Sequence, residues 1–166
     1  MATRLPCGGT HRYLERQPEK LVVEGLRRWM QGCERGSATC WDLAASLYAE
    51  ELGSAEGRRV LGALAHWVEA LRSWMDRPAG LSPSHCPRLC LDECCAVSMI
   101  AACQNHDEGS LLEAMERLIL PEGHAEVVRA TRNFAEALAD TGQILIPVPQ
   151  AVIHEIATRP CRRLFH

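Results

Sequence analysis

Cysteines are concentrated in one short stretch of the chain, at a spacing that could place sulfur ligands around a metal ion. Five of the nine cysteines lie between residues 86 and 103. Cys86, Cys90 and Cys94 recur every fourth residue, which puts neighbouring side chains on one face of a helix. With His85 they would supply the four nitrogen and sulfur ligands of a structural zinc site. We therefore treat His85, Cys86, Cys90 and Cys94 as a candidate metal site, with zinc as the one cofactor considered.

Two other interpretations of these cysteines stay open. Cysteine also behaves as a small buried hydrophobe, so the same residues suit the packed centre of a domain. A pair of reactive thiols would instead suit a redox sensor. No Cys-x-x-Cys pair occurs in the chain, so the usual spacing of a zinc ribbon or an iron–sulfur cluster is missing.

Two carboxylates interrupt the same apolar stretch. Asp92 and Glu93 lie among cysteines, and Glu93 shares a helix face with Ile100 and Gln104. A buried carboxylate must be paired, protonated or placed at a cavity. Asp92, Glu93 and Gln104 are therefore a candidate ligand or buried-charge site. An arginine from elsewhere in the chain could pair with Glu93, and the donors we consider are Arg88, Arg129 and Arg132.

Apolar residues recur at helical spacing along most of the chain. The predicted helices cover about 18–36, 38–52, 54–76, 87–105, 111–120 and 122–140, with a short last helix at 150–158. The segment 87–105 is apolar on every side, which is typical of a helix surrounded by others. We predict an all-α fold: a compact antiparallel helical bundle of about six helices with a buried, cysteine-rich central helix.

The length of 166 residues suits one domain with its own core. We expect a flexible N-terminal segment at 1–17, a single helical domain at 18–158 and a basic C-terminal tail at 159–166. Residues 77–84 contain two prolines and a glycine and are predicted to form a loop inside the domain.

Charge and motifs argue against several classes of protein. The net charge of -3 provides no drive toward nucleic acid or an anionic membrane. No apolar run reaches the roughly 18 residues of a membrane span, and no secretory signal is recognisable, so we expect a cytoplasmic protein with reduced cysteines. Phosphate-binding glycine loops, Gly-x-Ser-x-Gly and His-Glu-x-x-His are missing, which makes catalysis the less favoured interpretation.

Tryptophans lie on the predicted helix seams, where they serve as core or interface anchors. Trp67 and Trp74 share one seam and are candidate interface residues, although the same seam suits a core. The leading hypothesis is a non-enzymatic helical protein that acts by protein–protein interaction or self-association, with an unknown partner protein or a second copy. The alternatives are a thiolate metal-binding or redox-sensing protein, and a small-ligand-binding bundle or enzyme with Glu93 in a pocket.

Overall fold

Helices account for nearly all the regular structure in the described part of the chain. The structure, a computed structural model, describes residues 13–158, and this part contains no β-strand. The α-helices are α1 (Gln17–Arg35), α2 (Ala38–Leu52), α3 (Ser54–Trp74), α4 (Leu91–Gln104), α5 (Glu108–Leu118), α6 (His124–Asp140) and α7 (Gln150–Thr158), and a 3-10 turn, Pro121–Gly123, precedes α6. The predicted all-α fold is confirmed.

The helix α4 lies at the centre of the bundle. It contacts α1, α5, α6 and α7, whereas α1, α2 and α3 pack against one another in sequence and α3 also lies against α6. Ten of its residues are buried, among them Cys95, Met99 and Ile100. This position suits α4, because a helix that is apolar on every side is stabilised when other helices surround it.

Glycine allows two of the outer helices to approach closely. Gly53 ends α2 with φ of 84°, a conformation that favours glycine. One turn later, a Cβ atom on Gly57 would lie 2.6 Å from the backbone oxygen of Tyr48. The absence of a side chain at Gly57 therefore sets the separation of α2 and α3.

The two candidate interface tryptophans make contacts inside the chain. Trp67 is fully buried, its indole Nε1 donates to Thr131 Oγ1 at 3.1 Å, and its ring lies 5.2 Å from that of Phe134. Trp74 is half-buried, and its Nε1 donates to Glu126 at 2.7 Å. Trp67 has no exposed surface to offer a partner, so it plays no part in the binding surface proposed below.

Replacing Trp67 by phenylalanine should lower the free energy of unfolding by about 1 to 2 kcal/mol, because Thr131 loses a buried donor. Urea denaturation measures the loss. Trp74→Phe is the matched control, since Glu126 is exposed and water can replace the indole. Equal losses in the two variants would contradict a specific role for the Trp67–Thr131 bond.

The two ends of the chain lie only partly within the described range. Residues 1–12 of the expected flexible segment and the expected basic tail at 159–166 lie outside it. Residues 13–16 form a turn in which Tyr13 and Leu14 pack against the core. Arg16 pairs with the buried carboxylate of Glu19 at 3.0 Å. In the described range, no helix has both the length and the apolar character needed to span a membrane.

Candidate functional site

The central helix begins later than its apolar pattern predicts. Cys90 is its N-cap: the Cys90 thiol accepts from the backbone N–H of Glu93 at 3.4 Å, and Glu93 Oε2 accepts from the N–H of Cys90 at 2.9 Å. This reciprocal capping box fixes the start at Leu91. The prediction of a helix from about residue 87 was therefore wrong at this end. The segment from 76 to 90 has no helix or strand and joins α3 to α4.

A buried ion pair lies under this segment. Arg27, on α1, donates from Nε to Glu93 Oε1 at 2.7 Å and from Nη2 to Glu93 Oε2 at 3.1 Å. Arg27 is 2% exposed and Glu93 is 0% exposed. The backbone N–H groups of Ser82 and Cys90 also donate to Glu93, one to each oxygen, both at 2.9 Å. Each carboxylate oxygen thus accepts two hydrogen bonds, which fills the acceptor capacity of Glu93.

Arg27 also binds the loop directly. Its Nη1 donates to the carbonyl oxygen of Cys86 at 2.9 Å, and its Nη2 donates to that of Arg88 at 2.8 Å. Burial disfavours the charge on Arg27, but the hydrogen bonds and charges of Glu93 and Glu24 outweigh it and raise the pKa of the guanidinium. Arg27 therefore remains a buried cation.

A second acid on α1 connects Arg27 to the loop. Glu24 Oε1 accepts from Arg27 at 3.0 Å and from the backbone N–H of His85 at 2.9 Å. His85 has φ of 65°, which is uncommon for a residue with a side chain. The bond to Glu24 helps to hold His85 in that conformation.

Asp92 fixes the start of the loop. Its two oxygens accept from the two terminal nitrogens of Arg77, each at 2.7 Å, and Oδ2 also accepts from the N–H of Gly80 at 2.8 Å. Burial by itself would raise the pKa of Asp92, but the bonds from Arg77 and Gly80 outweigh it and lower the pKa below its usual value. Asp92 is thus a charged anchor at neutral pH.

Stability supplied by Asp92 should depend on pH. The pKa of Asp92 is lower in the folded chain than in the unfolded chain. Its contribution to the free energy of unfolding is therefore complete above about pH 4, and it disappears as the pH falls through the folded-state pKa. We expect Asp92→Asn to cost about 1 to 2 kcal/mol at pH 7, since Arg77 is partly exposed. The difference in unfolding free energy between wild type and variant should shrink below pH 4. A difference that stays constant down to pH 2 would contradict the assignment.

These contacts define one feature, residues 77–90, which we call the anchored loop. Its backbone is hydrogen-bonded to buried charged side chains of α1 and α4. Four of its backbone N–H groups donate to carboxylates and two of its carbonyls accept from Arg27. The anchoring N–H groups are those of Gly80, Ser82, His85 and Cys90. Above this network the loop exposes the side chains of Arg77, Pro78, Pro83, His85, Pro87 and Arg88. The arrangement holds an irregular exposed surface in one conformation.

The four proposed metal ligands are distributed along the loop and the first turn of α4. Only Cys94 lies in the helix, so Cys86, Cys90 and Cys94 do not form the continuous helical face that the spacing predicted. The Cys90 thiol donates to the carbonyl of Gly80 and caps α4, while the His85 side chain is exposed. Among residues 13–158, no group of three or more histidine, cysteine or acidic side chains is placed to hold a metal ion. The geometry therefore gives the zinc hypothesis no support.

Cys90 should react slowly with alkylating reagents. Burial and the neighbouring charge of Glu93 raise the pKa of its thiol to about 12, so almost no thiolate exists at pH 8. Iodoacetamide modification followed by peptide mass spectrometry should label Cys90 only after denaturation. Rapid labelling of Cys90 in the folded chain would support the redox-sensing alternative instead.

Gln104 lies apart from the acids. It is at the other end of α4, about 16 Å from Glu93 along the helix axis. Its amide nitrogen donates to the carbonyls of Ala135 and Gln143, and its oxygen accepts from the N–H of Leu145 at 2.8 Å. Gln104 therefore fixes the extended segment before α7 and does not join the anchored loop.

The arginine that pairs with Glu93 was not among the predicted donors. Arg88 contributes only its carbonyl to the network, and Arg132 pairs with Glu108 at 2.5 Å. The sequence does contain a signal for Arg27, because Val23 and Met30 lie four residues before it and three after it on the buried face of α1. A charged residue at such a position requires a buried partner.

Comparisons with protein-family models, with curated proteins and with solved structures return no significant match to this chain.

Proposed function

We propose that this chain is a non-enzymatic cytoplasmic domain that binds a partner protein through the anchored loop. The observation that carries the proposal is the direction of the buried hydrogen bonds. Glu93, Asp92 and Glu24 all accept from backbone N–H groups of one exposed loop. A buried ion pair adds little net stability over a well-packed apolar pair, so conformational specificity is the more natural reason for this network.

A fixed loop suits recognition for a thermodynamic reason. A flexible segment loses conformational entropy when a partner orders it, and a segment that is already ordered avoids that loss. Binding residues commonly lie on loops that a rigid scaffold positions and that hydrogen bonds beneath them support. The anchored loop has both properties, and its exposed prolines restrict it further.

Site chemistry favours binding over catalysis. Glu93 has no free acceptor capacity, so it cannot take a proton from a substrate without breaking the network. The thiol of Cys90 is occupied by Gly80 and Glu93. An intact thiol at this cap suits a reducing compartment, which supports the proposed cytoplasmic location.

Site-specific photo-crosslinking in cells tests the proposal. A benzophenone amino acid at Arg88, whose side chain is exposed in the loop, should give a discrete adduct in the full chain. The matched control carries the same group at Leu112, an exposed position on α5. We expect an adduct at position 88 that is absent at position 112. An adduct of twice the chain mass would identify a second copy as the partner, and no adduct specific to position 88 would contradict the proposal.

A further inference from the structure

A cleft of about 360 Å³ opens beside the first residues of the anchored loop. Its apolar lining comes from Met30 on α1, Met75 after α3, and Pro78 and Ala79 in the loop. We call it the methionine cleft. Its volume lies at the lower end of the roughly 300 to 1,000 Å³ range of ligand pockets. Methionine side chains adapt their shape to what they contact and are common on protein surfaces that bind varied apolar groups.

The charges at the rim of the methionine cleft are not equivalent. Both basic residues already have acidic neighbours: Arg77 is held by Asp92 at 2.7 Å, and Arg72 lies 3.6 Å from Glu69. The two acidic residues, Glu34 and Asp76, line the same cleft and are exposed. Within residues 13–158 they make no hydrogen bond or ion pair. Counted with the partners Asp92 and Glu69, these side chains carry two positive and four negative charges, so the net charge of the group is negative.

One wall of the methionine cleft is held in place. The bidentate pair between Arg77 and Asp92 fixes the start of the loop, and the bond from Gly80 to Asp92 fixes it two residues after Pro78. Met75 forms an antiparallel bridge with Ile119. The cleft thus exists before any ligand binds, which reduces the entropy lost on binding.

We propose that the methionine cleft binds a segment of a partner protein in which an apolar side chain lies next to arginine or lysine. This inference rests on the proposed function and names the chemistry of the partner. The apolar side chain contacts the partly exposed Met75 and the 3% of Met30 that is exposed, and the basic group pairs with Glu34 and Asp76. Charge-assisted hydrogen bonds from arginine to carboxylates supply direction and specificity.

Methyl NMR on the full chain labelled with 13C-methyl methionine tests the inference. The probe is the peptide acetyl-Ala-Leu-Arg-Arg-Leu-Ala-amide, and the comparison peptide has glutamate in place of both arginines. The arginine peptide should shift the methyl resonances of Met30 and Met75. Those of Met99 and Met115, which do not line the cleft, should stay unchanged. Added salt should weaken binding, because the carboxylates are exposed.

Paired variants identify the groups responsible. Glu34→Gln with Asp76→Asn should weaken binding of the arginine peptide at least tenfold. Glu50→Gln with Glu122→Gln removes two exposed carboxylates elsewhere and should leave the affinity unchanged. Three results would each overturn the inference: no shift at millimolar peptide, equal shifts with the glutamate peptide, or unchanged affinity in the first pair.

The two proposals fail in different ways. If the adduct at position 88 forms but the methyl resonances do not respond, the loop binds a partner of other chemistry and the cleft inference is wrong. If the methyl resonances respond but no adduct forms, the proposed function is wrong and the cleft remains a peptide site.

Discussion

Replacing Glu93 by glutamine should lower the free energy of unfolding by about 3 to 5 kcal/mol at pH 7. The glutamine removes the negative charge opposite Arg27 and places an NH2 group where one carboxylate oxygen accepts two hydrogen bonds. Arg27 would remain buried with Glu24 as its one acidic hydrogen-bond partner, beside the two loop carbonyls and the remaining amide oxygen. Urea denaturation followed by far-UV circular dichroism measures the loss.

Glu122→Gln is the matched control for this change. Glu122 is exposed on the 3-10 turn, so its replacement should alter the free energy of unfolding by no more than about 0.5 kcal/mol. A loss below about 1 kcal/mol for Glu93→Gln would show that the Arg27–Glu93 pair does not anchor the loop.

Replacing Arg27 by methionine should cost at least as much, at the upper end of the same range of about 3 to 5 kcal/mol. Methionine keeps the apolar stem but leaves Glu93 without its cation and two loop carbonyls without their donor. Besides the loss of stability, we expect new proteolytic cleavage within 77–90, because the loop loses contacts at both Cys86 and Arg88.

Arg27→Lys separates charge from geometry. Lysine keeps the positive charge but lacks the planar fork that reaches Glu93 and the carbonyls together. It should recover part of the stability and little of the resistance to cleavage. If Arg27→Met unfolds more easily but the loop is cut no faster than in wild type, Arg27 supports the bundle and not the loop.

The helices were largely predictable because each depends on a local pattern. The bounds of α2 match the prediction, and Gly53 ends that helix as its sequence position indicates. The start of α4 was not predictable from apolar spacing, since Leu89 continues the pattern while Cys90 caps the helix. The cap depends on two hydrogen bonds with Glu93, which a periodicity argument does not weigh.

The buried charge at Glu93 was predictable, but its partner was not. A buried carboxylate must have a charged or hydrogen-bonding partner however the rest of the chain folds. The position of Glu93 in an apolar stretch therefore predicts a buried charge by itself. Arg27 lies 66 residues earlier, on α1, and only the packing of α1 against α4 brings the two together. The four-residue spacing likewise predicted that Cys86, Cys90 and Cys94 share one helix face, but Cys86 and Cys90 lie in the loop before α4.

Amide hydrogen exchange at the four anchoring N–H groups tests the central claim most directly. Gly80, Ser82, His85 and Cys90 lie in or at the end of an irregular exposed segment, where unanchored amides exchange at nearly the rate of an unfolded chain. Because each donates to a buried carboxylate, we predict slow exchange at all four in wild type, and faster exchange at Ser82 and Cys90 in Glu93→Gln under conditions where that variant stays folded. Exchange of these amides at unprotected rates in the wild-type chain would contradict the anchored loop and the binding function argued from it.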